Sequence, residues 1–482
     1  FHEKMFGKKI INSFEQIKDS FDKKNLLNPH KIVRPFKSDD RSLMRYKSGY
    51  KAENISTHYD WSSWGQFSDA VEMCNNNGAC RKLDSGVMCP SYRVTKEEKD
   101  LVRGRANTLR LALSNQLPKD SFVSKGMYET MELCVSCKAC QRECPMSVDM
   151  AKMKSEFLSH YYRKFYMSLK DRVISNMPKL IWLLKISNPM INILNKLPIF
   201  SQMIEWFGFS SKRSLPVVEN QEPLKEIYND QVNLEKKVIL FADTFNINFE
   251  IKNLMYAIKV LNKFGYQAII PSFQNDNLDR PLCCGRTYIS LGQLDKAKME
   301  LERFTKYVSD NGYNELPVVG IEPSCLLTFN DEFKSFSHLK NRSKIKNEFF
   351  LLEEFVLNEI KNGNKIKYKD FNKNVLIHGH CHQKSQNRIK GLTNLLDELK
   401  IKNSMIESSC CGMAGSFGYS SKHYEVSKKM AYLSLIPAIN NSTEQDYLVA
   451  NGTSCRHQIS DFSNKKPKHI SELLFNLFET IN

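Results

Sequence analysis

The chain has 482 residues, enough for about two to four domains at typical domain size, and its 41% hydrophobic and 26% charged residues are a globular composition. No apolar run reaches the ~18 residues that a membrane-spanning helix needs, and the opening "FHEKMFGKKI" lacks the apolar core of a signal peptide. The net charge of +17 is spread over solvated faces without a dense basic block or a nucleic-acid module, which argues against a nucleic-acid partner.

In chain order, Ile10, Phe14, Ile17 and Phe21 fall at helical spacing within 8–27, and Pro29 is expected to stop that helix. A helix this short cannot bury its apolar face alone, so it must dock on something else. Thr95 and Glu98 form a capping-box pattern, predicting a helix over 95–115; 121–133 and 150–165 also read as helices. The segment 166–232, with "LIWLL" and "MINIL" broken by Pro178, Pro189, Pro198 and Pro216, reads as short amphipathic helices in a connector. Its two readings are a packed connector and contact with a membrane surface.

From about 233 strands and helices alternate. Strands are expected at 238–242, 268–270 and 318–321, with helices over 251–265 and 289–307. A second pass gives strands at 375–378 and 447–450 and helices over 385–399 and 423–434. Each pass carries a Cys-Cys-Gly motif, Cys283-Cys284-Gly285 and Cys410-Cys411-Gly412. The last strand follows the paired cysteines by 34 and 36 residues, and a further cysteine, Cys325 or Cys455, follows that strand by 7 and 8. These offsets predict an internal duplication. Cys381 lies six residues after Val375; the corresponding position after Val238 is Thr244.

The fourteen cysteines fall in two groups, seven between 74 and 144 and seven between 283 and 455. Clustered cysteines without a secretion signal read as metal or cluster ligands rather than disulfides. "CVSCKACQRECP" places Cys134, Cys137, Cys140 and Cys144 before Pro145, the C-x2-C-x2-C-x3-C-P run of bacterial ferredoxins. Three thiolates on one tight turn reach three corners of a cubane, and the fourth, turned away by its proline, ligates the other cluster. The alternative, zinc, prefers two separated C-x2-C pairs.

The upstream stretch "CNNNGAC" has Cys74 and Cys80 with Asn77 at the middle position, and Cys89-Pro90 follows. Crossing the two runs assigns Cys134, Cys137, Cys140 and Cys89 to a complete [4Fe-4S] site. Cys74, Cys80 and Cys144 form a second, three-thiolate site. The sequence leaves open whether that site holds a three-iron cluster, a four-iron cluster with a non-Cys ligand, or nothing. Lys138, Arg142 and Lys152 are expected to offset the charge of the first cluster. In the second α/β half Cys381, Cys410, Cys411 and Cys455 are expected to converge at strand ends, with His378, His380 and His382 as further ligands or as structural residues. Iron–sulfur and zinc are both open there. Cys283, Cys284 and Cys325 form a weaker set.

The pattern "CNNNGACRK…MCPSYR…RGRANTLR…CVSCKACQRECP…VDMAK", followed by "EPSC" and two "CCG" motifs, resembles the iron–sulfur half of FAD-linked D-2-hydroxy-acid dehydrogenases. That group covers glycolate oxidase, D-lactate dehydrogenase and D-2-hydroxyglutarate dehydrogenase types. "FDKKNLLNPHKIV" is similar to the end of their flavin domain, with His30 at the usual glycine. The two Cys-Cys-Gly halves resemble those of heterodisulfide reductase subunits, and Thr244 departs from that pattern.

The resemblance implies a multidomain chain: an α-helical ferredoxin-like domain followed by duplicated α/β Cys-Cys-Gly domains. The expected boundaries are a flavin-domain tail at 1–35, the ferredoxin-like domain at 36–165, the connector at 166–232, and the repeats at 233–365 and 366–482. It implies electron transfer from FAD, held in an upstream half, to a quinone or other carrier, in the cytoplasm or at the inner face of the membrane, with self-association open. Asn77 becomes a family habit rather than damage. Two other readings compete: a separate iron–sulfur subunit of a heterodisulfide-reductase or anaerobic glycerol-3-phosphate dehydrogenase complex, and a non-enzymatic zinc scaffold.

Overall fold

The computed structural model describes residues 2–40, 42, 44, 46, 49–84, 86–181, 204–231, 233–273, 278, 280–339, 343, 345–364 and 366–478. The expected helices around "LIWLL" and "MINIL" fall mostly outside these residues. The chain forms two units, Phe1–Ala52 and Glu53–Asn482.

The first unit carries helices His2–Phe6 and Lys8–Phe21. The second ends well before Pro29. The Asp22 carboxylate takes the backbone amides of Leu26 at 2.9 Å and Leu27 at 2.8 Å, folding the chain into a turn. Ile10, Ile17 and Phe21 stand exposed, as expected of an apolar stripe too short to cover itself.

In the second unit, residues 53–165 are helical. Helices Val102–Leu113, Lys125–Glu132 and Met150–Lys164 bury Ala106, Leu109, Met131 and Phe157 completely. The capping box expected at Thr95 is not a helix start. A short helix, Pro90–Thr95, ends there, and Thr95 Oγ1 donates to Asp100 Oδ2 at 2.7 Å. Pro90 favours a helix beginning just after Cys89, so Thr95 falls at its end instead.

Beyond residue 235 the chain is mixed helix and sheet, with two small, wholly parallel sheets. The first has β1 (Lys236–Phe241), β2 (Tyr266–Ile269), β3 (Val318–Gly320) and β4 (Phe349–Leu351) in the order β2-β1-β3-β4. The second has β5 (Val375–Ile377), β6 (Asn403–Met405) and β7 (Tyr447–Val449) in the order β6-β5-β7. In each, the first strand is central; Leu240 pairs with Val319, and Ile377 with Val449. β1 and β3 are buried apolar runs, as parallel strands covered on both faces require.

The single helix expected over 289–307 is two, Arg286–Ser290 and Leu294–Asp310. The break is at Gly292 (φ +69°), where a Cβ would lie 2.4 Å from Leu158 Cβ, so only glycine lets the 150–164 helix approach.

One apolar core spans both sheets. Leu254, Ile258 and Leu261 under the first sheet and Val375, Ile377 and Val449 of the second belong to it, and the last helix, Ile470–Phe478, contributes Leu473, Leu474 and Leu477. That helix packs on helix Ile251–Lys263, with Phe475 stacked on Tyr256 at 5.0 Å. The final element of the second half thus covers the first.

Candidate metal centres

Cys89, Cys134, Cys137 and Cys140 line one cavity, walled by Met88, Val102, Arg105 and Met150. The backbone winds tightly round it. Cys89, Ser136 and Lys138 all have positive φ, at 53°, 51° and 60°, and the short helix Ala139–Glu143 starts on Lys138. Burial pushes the Cys89 thiol up to about 12, and it drives Cys137 and Cys140 well above the ordinary thiol range, each raised further by its neighbouring cysteines. Four crowded, dry thiols hold their protons; they become thiolates when a cationic group replaces those protons. The donor set therefore fits a thiolate-ligated cluster.

The cations are not arranged as the spacing suggested. Lys138 is 1% exposed, but its Nζ is 2.7 Å from Asp331 and 2.5 Å from Glu332. Lys152 pairs with Asp331 at 2.6 Å, and Arg142 donates to the Lys384 carbonyl at 2.7 Å. Those carboxylates come from the far side of the first sheet's cysteine set, so Lys138 and Lys152 knit the ferredoxin-like region to the α/β region. The buried cation facing Cys89 is Arg105, held by the Thr130 carbonyl at 3.0 Å and Ser91 Oγ at 3.3 Å. Sequence reasoning passed over it because a lone arginine in a helix reads as surface.

Cys74 and Cys80 are buried and close enough to act on each other electrostatically, and Cys80 also acts on Cys89. Cys144 is buried at the end of helix Ala139–Glu143, which packs on the turn Ala79–Arg81 carrying Cys80. Asn77 is exposed and turned into its own loop. Its amide donates to Asn75 Oδ1 at 2.6 Å and its Oδ1 accepts from Ala79 N at 2.8 Å. It is a turn former. The amide oxygen nearest a thiol in that loop is Asn76 Oδ1, which accepts from Cys74 Sγ at 3.8 Å.

In the second sheet's region Cys381, Cys410, Cys411 and Cys455 form a chain of thiol hydrogen bonds with His378. Donor atoms of His378, Cys411 and Cys455 lie within 4.8 Å of one another, a spacing suited to one metal ion. A hydrogen bond from Cys410 pulls Cys381 down to about 6, and bonds from Cys410 and Cys455 pull Cys411 well below the thiol range; Cys410 and Cys455 are pushed up in turn. Gly412 (φ +90°) makes the turn: a Cβ there would sit 2.5 Å from the Ser427 carbonyl oxygen. Of the three histidines, His380 accepts from His382 N at 3.2 Å as a helix cap, and His382 Nε2 lies 3.1 Å from the Ser136 carbonyl, inside the ferredoxin run. Cys137 and Cys381 accordingly act on each other.

The first sheet's set is different. Cys283, Cys284 and Cys325 hydrogen-bond among themselves, and all three are raised, Cys325 to about 11. Thr244 Oγ1 lies 3.9 Å from Cys283 Sγ, where the other half has Cys381. The charged neighbours here are carboxylates, Asp243, Glu300 and Glu322, which oppose thiolate formation.

Residues 70–148 match the model of the 4Fe-4S dicluster domain, and residues 375–460 match that of the cysteine-rich domain. Over 98% of its length the chain is 25% identical to D-2-hydroxyglutarate dehydrogenase of Pantoea ananatis, covering 49% of that protein. It is 23% identical to that of Haemophilus influenzae over 99% of the chain and 50% of the relative. One subunit of the anaerobic glycerol-3-phosphate dehydrogenase of Escherichia coli is 22% identical over 59% of the chain and 71% of the relative. The chain spans about half the length of the first two. It is an iron–sulfur protein by its dicluster domain, and it corresponds to the iron–sulfur half of the D-2-hydroxy-acid dehydrogenase type.

Proposed function

We propose that the chain is the electron-transfer portion of a FAD- and iron–sulfur-dependent oxidoreductase acting on the CH–OH group of D-2-hydroxy acids, D-2-hydroxyglutarate first among them. The observation that carries this is the convergence of Cys89, Cys134, Cys137 and Cys140 on one cavity within the dicluster match. These residues would hold a [4Fe-4S] cluster, and Cys74, Cys80 and Cys144 a second. A bound cluster supplies one-electron acceptance and donation. The chain's own residues exclude water from the four thiols, place the Arg105 cation beside Cys89, and lock the loop through Lys138. FAD belongs to a flavin half, in the same polypeptide or in a partner, and the electrons leave to a quinone or another carrier at the cytoplasmic face of the membrane.

The matching strand order and paired Cys-Cys-Gly turns support a duplication whose second copy binds a metal or cluster at Cys381, Cys410, Cys411 and Cys455 while the first does not. A second reading is favoured by the match to the glycerol-3-phosphate dehydrogenase relative, which runs over most of that protein: a separate subunit serving another flavoprotein. Iron, acid-labile sulfide and zinc counting with EPR on anaerobically purified protein, beside Cys137→Ser, tests the first reading. We expect the variant to lose one cluster's iron and signal; an unchanged signal refutes the ligand set. Oxidation of a D-2-hydroxy acid by this chain without added flavoprotein would refute the division of labour.

A further inference from the structure

A cavity of about 190 Å³ lies where three regions meet: the ferredoxin run, the first sheet's loops and the second sheet's cysteine set. One wall is redox-active and polar, made by Cys381, Cys410, Cys411 and Cys455 with His382 and the Tyr419–His457 pair. The opposite wall is apolar, made by Ile174, Met177, Leu215, Phe245 and Phe249. Val135 and Ser136, between two cysteines of the ferredoxin run, close the space between them. His378, a donor of the ion-sized group with Cys411 and Cys455, is not in the lining, so the cavity is more than a seat for that ion.

We infer that this cavity binds the ring of a small aromatic electron acceptor of the quinone class. The inference rests on the electron-transfer reading above and adds the place where the acceptor sits. An apolar cavity of ~150 Å³ is enough for a benzene ring, so 190 Å³ admits one substituted ring. A hydroxy acid or a sugar would set hydroxyls against Leu215 and Phe249 and lose their hydration. A plain acyl chain would leave the polar wall unanswered. A quinone has both characters: its ring faces are apolar and its carbonyl oxygens accept hydrogen bonds. Tyr419 Oη, 2.9 Å from His457 Nδ1, is a hydroxyl donor on that wall. His382 is 6% exposed, holds Ser136 through Nε2, and has no hydrogen-bond partner at Nδ1 among the described residues. The exposed backbone of Gly415 belongs to the lining, giving the cavity an edge at the surface.

The probe is duroquinone, whose four ring methyls block addition of cysteine thiols. Equilibrium dialysis against the anaerobically purified full chain should show saturable binding, and Leu215→Trp, which fills the apolar wall, should weaken it by about tenfold or more. Hydrogen exchange followed by mass spectrometry on the wild type should show duroquinone slowing exchange around 245–249 and 414–419. That measurement decides the matter should Leu215→Trp misfold. Absence of saturable binding, binding unchanged in a folded Leu215→Trp, or protection confined to other segments each overturns the proposal. Iron and sulfide counts on the same samples separate the two ideas: full iron with no binding removes the acceptor site alone, and binding without iron removes the electron-transfer reading.

Discussion

Replacing Lys138 by Met should destabilise the protein by about 3 kcal/mol, the low end of the ~3–5 kcal/mol cost of removing one partner from a buried ion pair. Lys138 is 1% exposed, with carboxylates at 2.7 Å and 2.5 Å. Two residual contacts set the low end: Asp331 keeps Lys152 at 2.6 Å, and Glu332 keeps Arg286 at 2.6 Å. Calorimetry of the wild type and variant at neutral pH should show the melting temperature fall by about 5 °C, given the size dependence of such shifts. Iron content should fall too, because Lys138 begins the helix carrying Cys140. Asp331→Asn placed on top of Lys138→Met should recover part of the loss, since it removes a charge left with one partner fewer. A variant melting within about 1 °C of wild type with full iron would refute the reasoning, because a buried three-way pairing cannot be deleted at the cost of a surface one.

Three further outcomes are expected. In metal-stripped protein, alkylation of Cys381 should follow pH with a midpoint of about 6, and Cys410→Ala should move that midpoint toward the ordinary thiol range; mass-spectrometric counting of labelled Cys381 checks it. Burial raises the Glu250 carboxyl, but Arg456 outweighs it and holds Glu250 at about 2 against 4.5. A lowered carboxyl gives stability that is present above pH 4.5 and lost as pH falls toward 2. Glu250→Gln should therefore lower the melting temperature at pH 7 and much less at pH 3; an equal drop at both would count against the Arg456 pairing. Gly412→Ala should cost about 1–3 kcal/mol from its backbone conformation, plus the clash with Ser427. Gly363→Ala has a similar φ of +91° in open space and should cost less, with urea midpoints as the comparison.

The cysteine run and the Cys-Pro that crosses to it were legible because ligand spacing is local. β1 and β3 were legible because a strand buried on both faces is a continuous apolar run. The strands that escaped lacked that signal. Phe349–Leu351 runs straight into the helix Leu352–Lys361, so its apolar residues read as part of one helical stretch, and Asn403–Met405 is a short polar edge. Lys138 looked like a counter-charge to a cluster because its true partner lies 193 residues on. The bond from His382 to Ser136 crosses 246 residues, and no pattern in either segment announces it. Thr244 was legible by offset alone, since it falls where the other half places a thiol.

The helix Ile470–Phe478 closes over Leu254, Ile258 and Leu261, which precede it by some two hundred residues. A growing chain that has not yet released residue 470 leaves that stripe bare, and exposed apolar surface of this kind is where nascent proteins aggregate. The α/β region therefore completes its packing only after its last helix leaves the ribosome. Loading of iron or zinc at Cys381, Cys410, Cys411 and Cys455 becomes a post-translational step, and a chain truncated before residue 470 would meet the metal-loading machinery in an unfinished state.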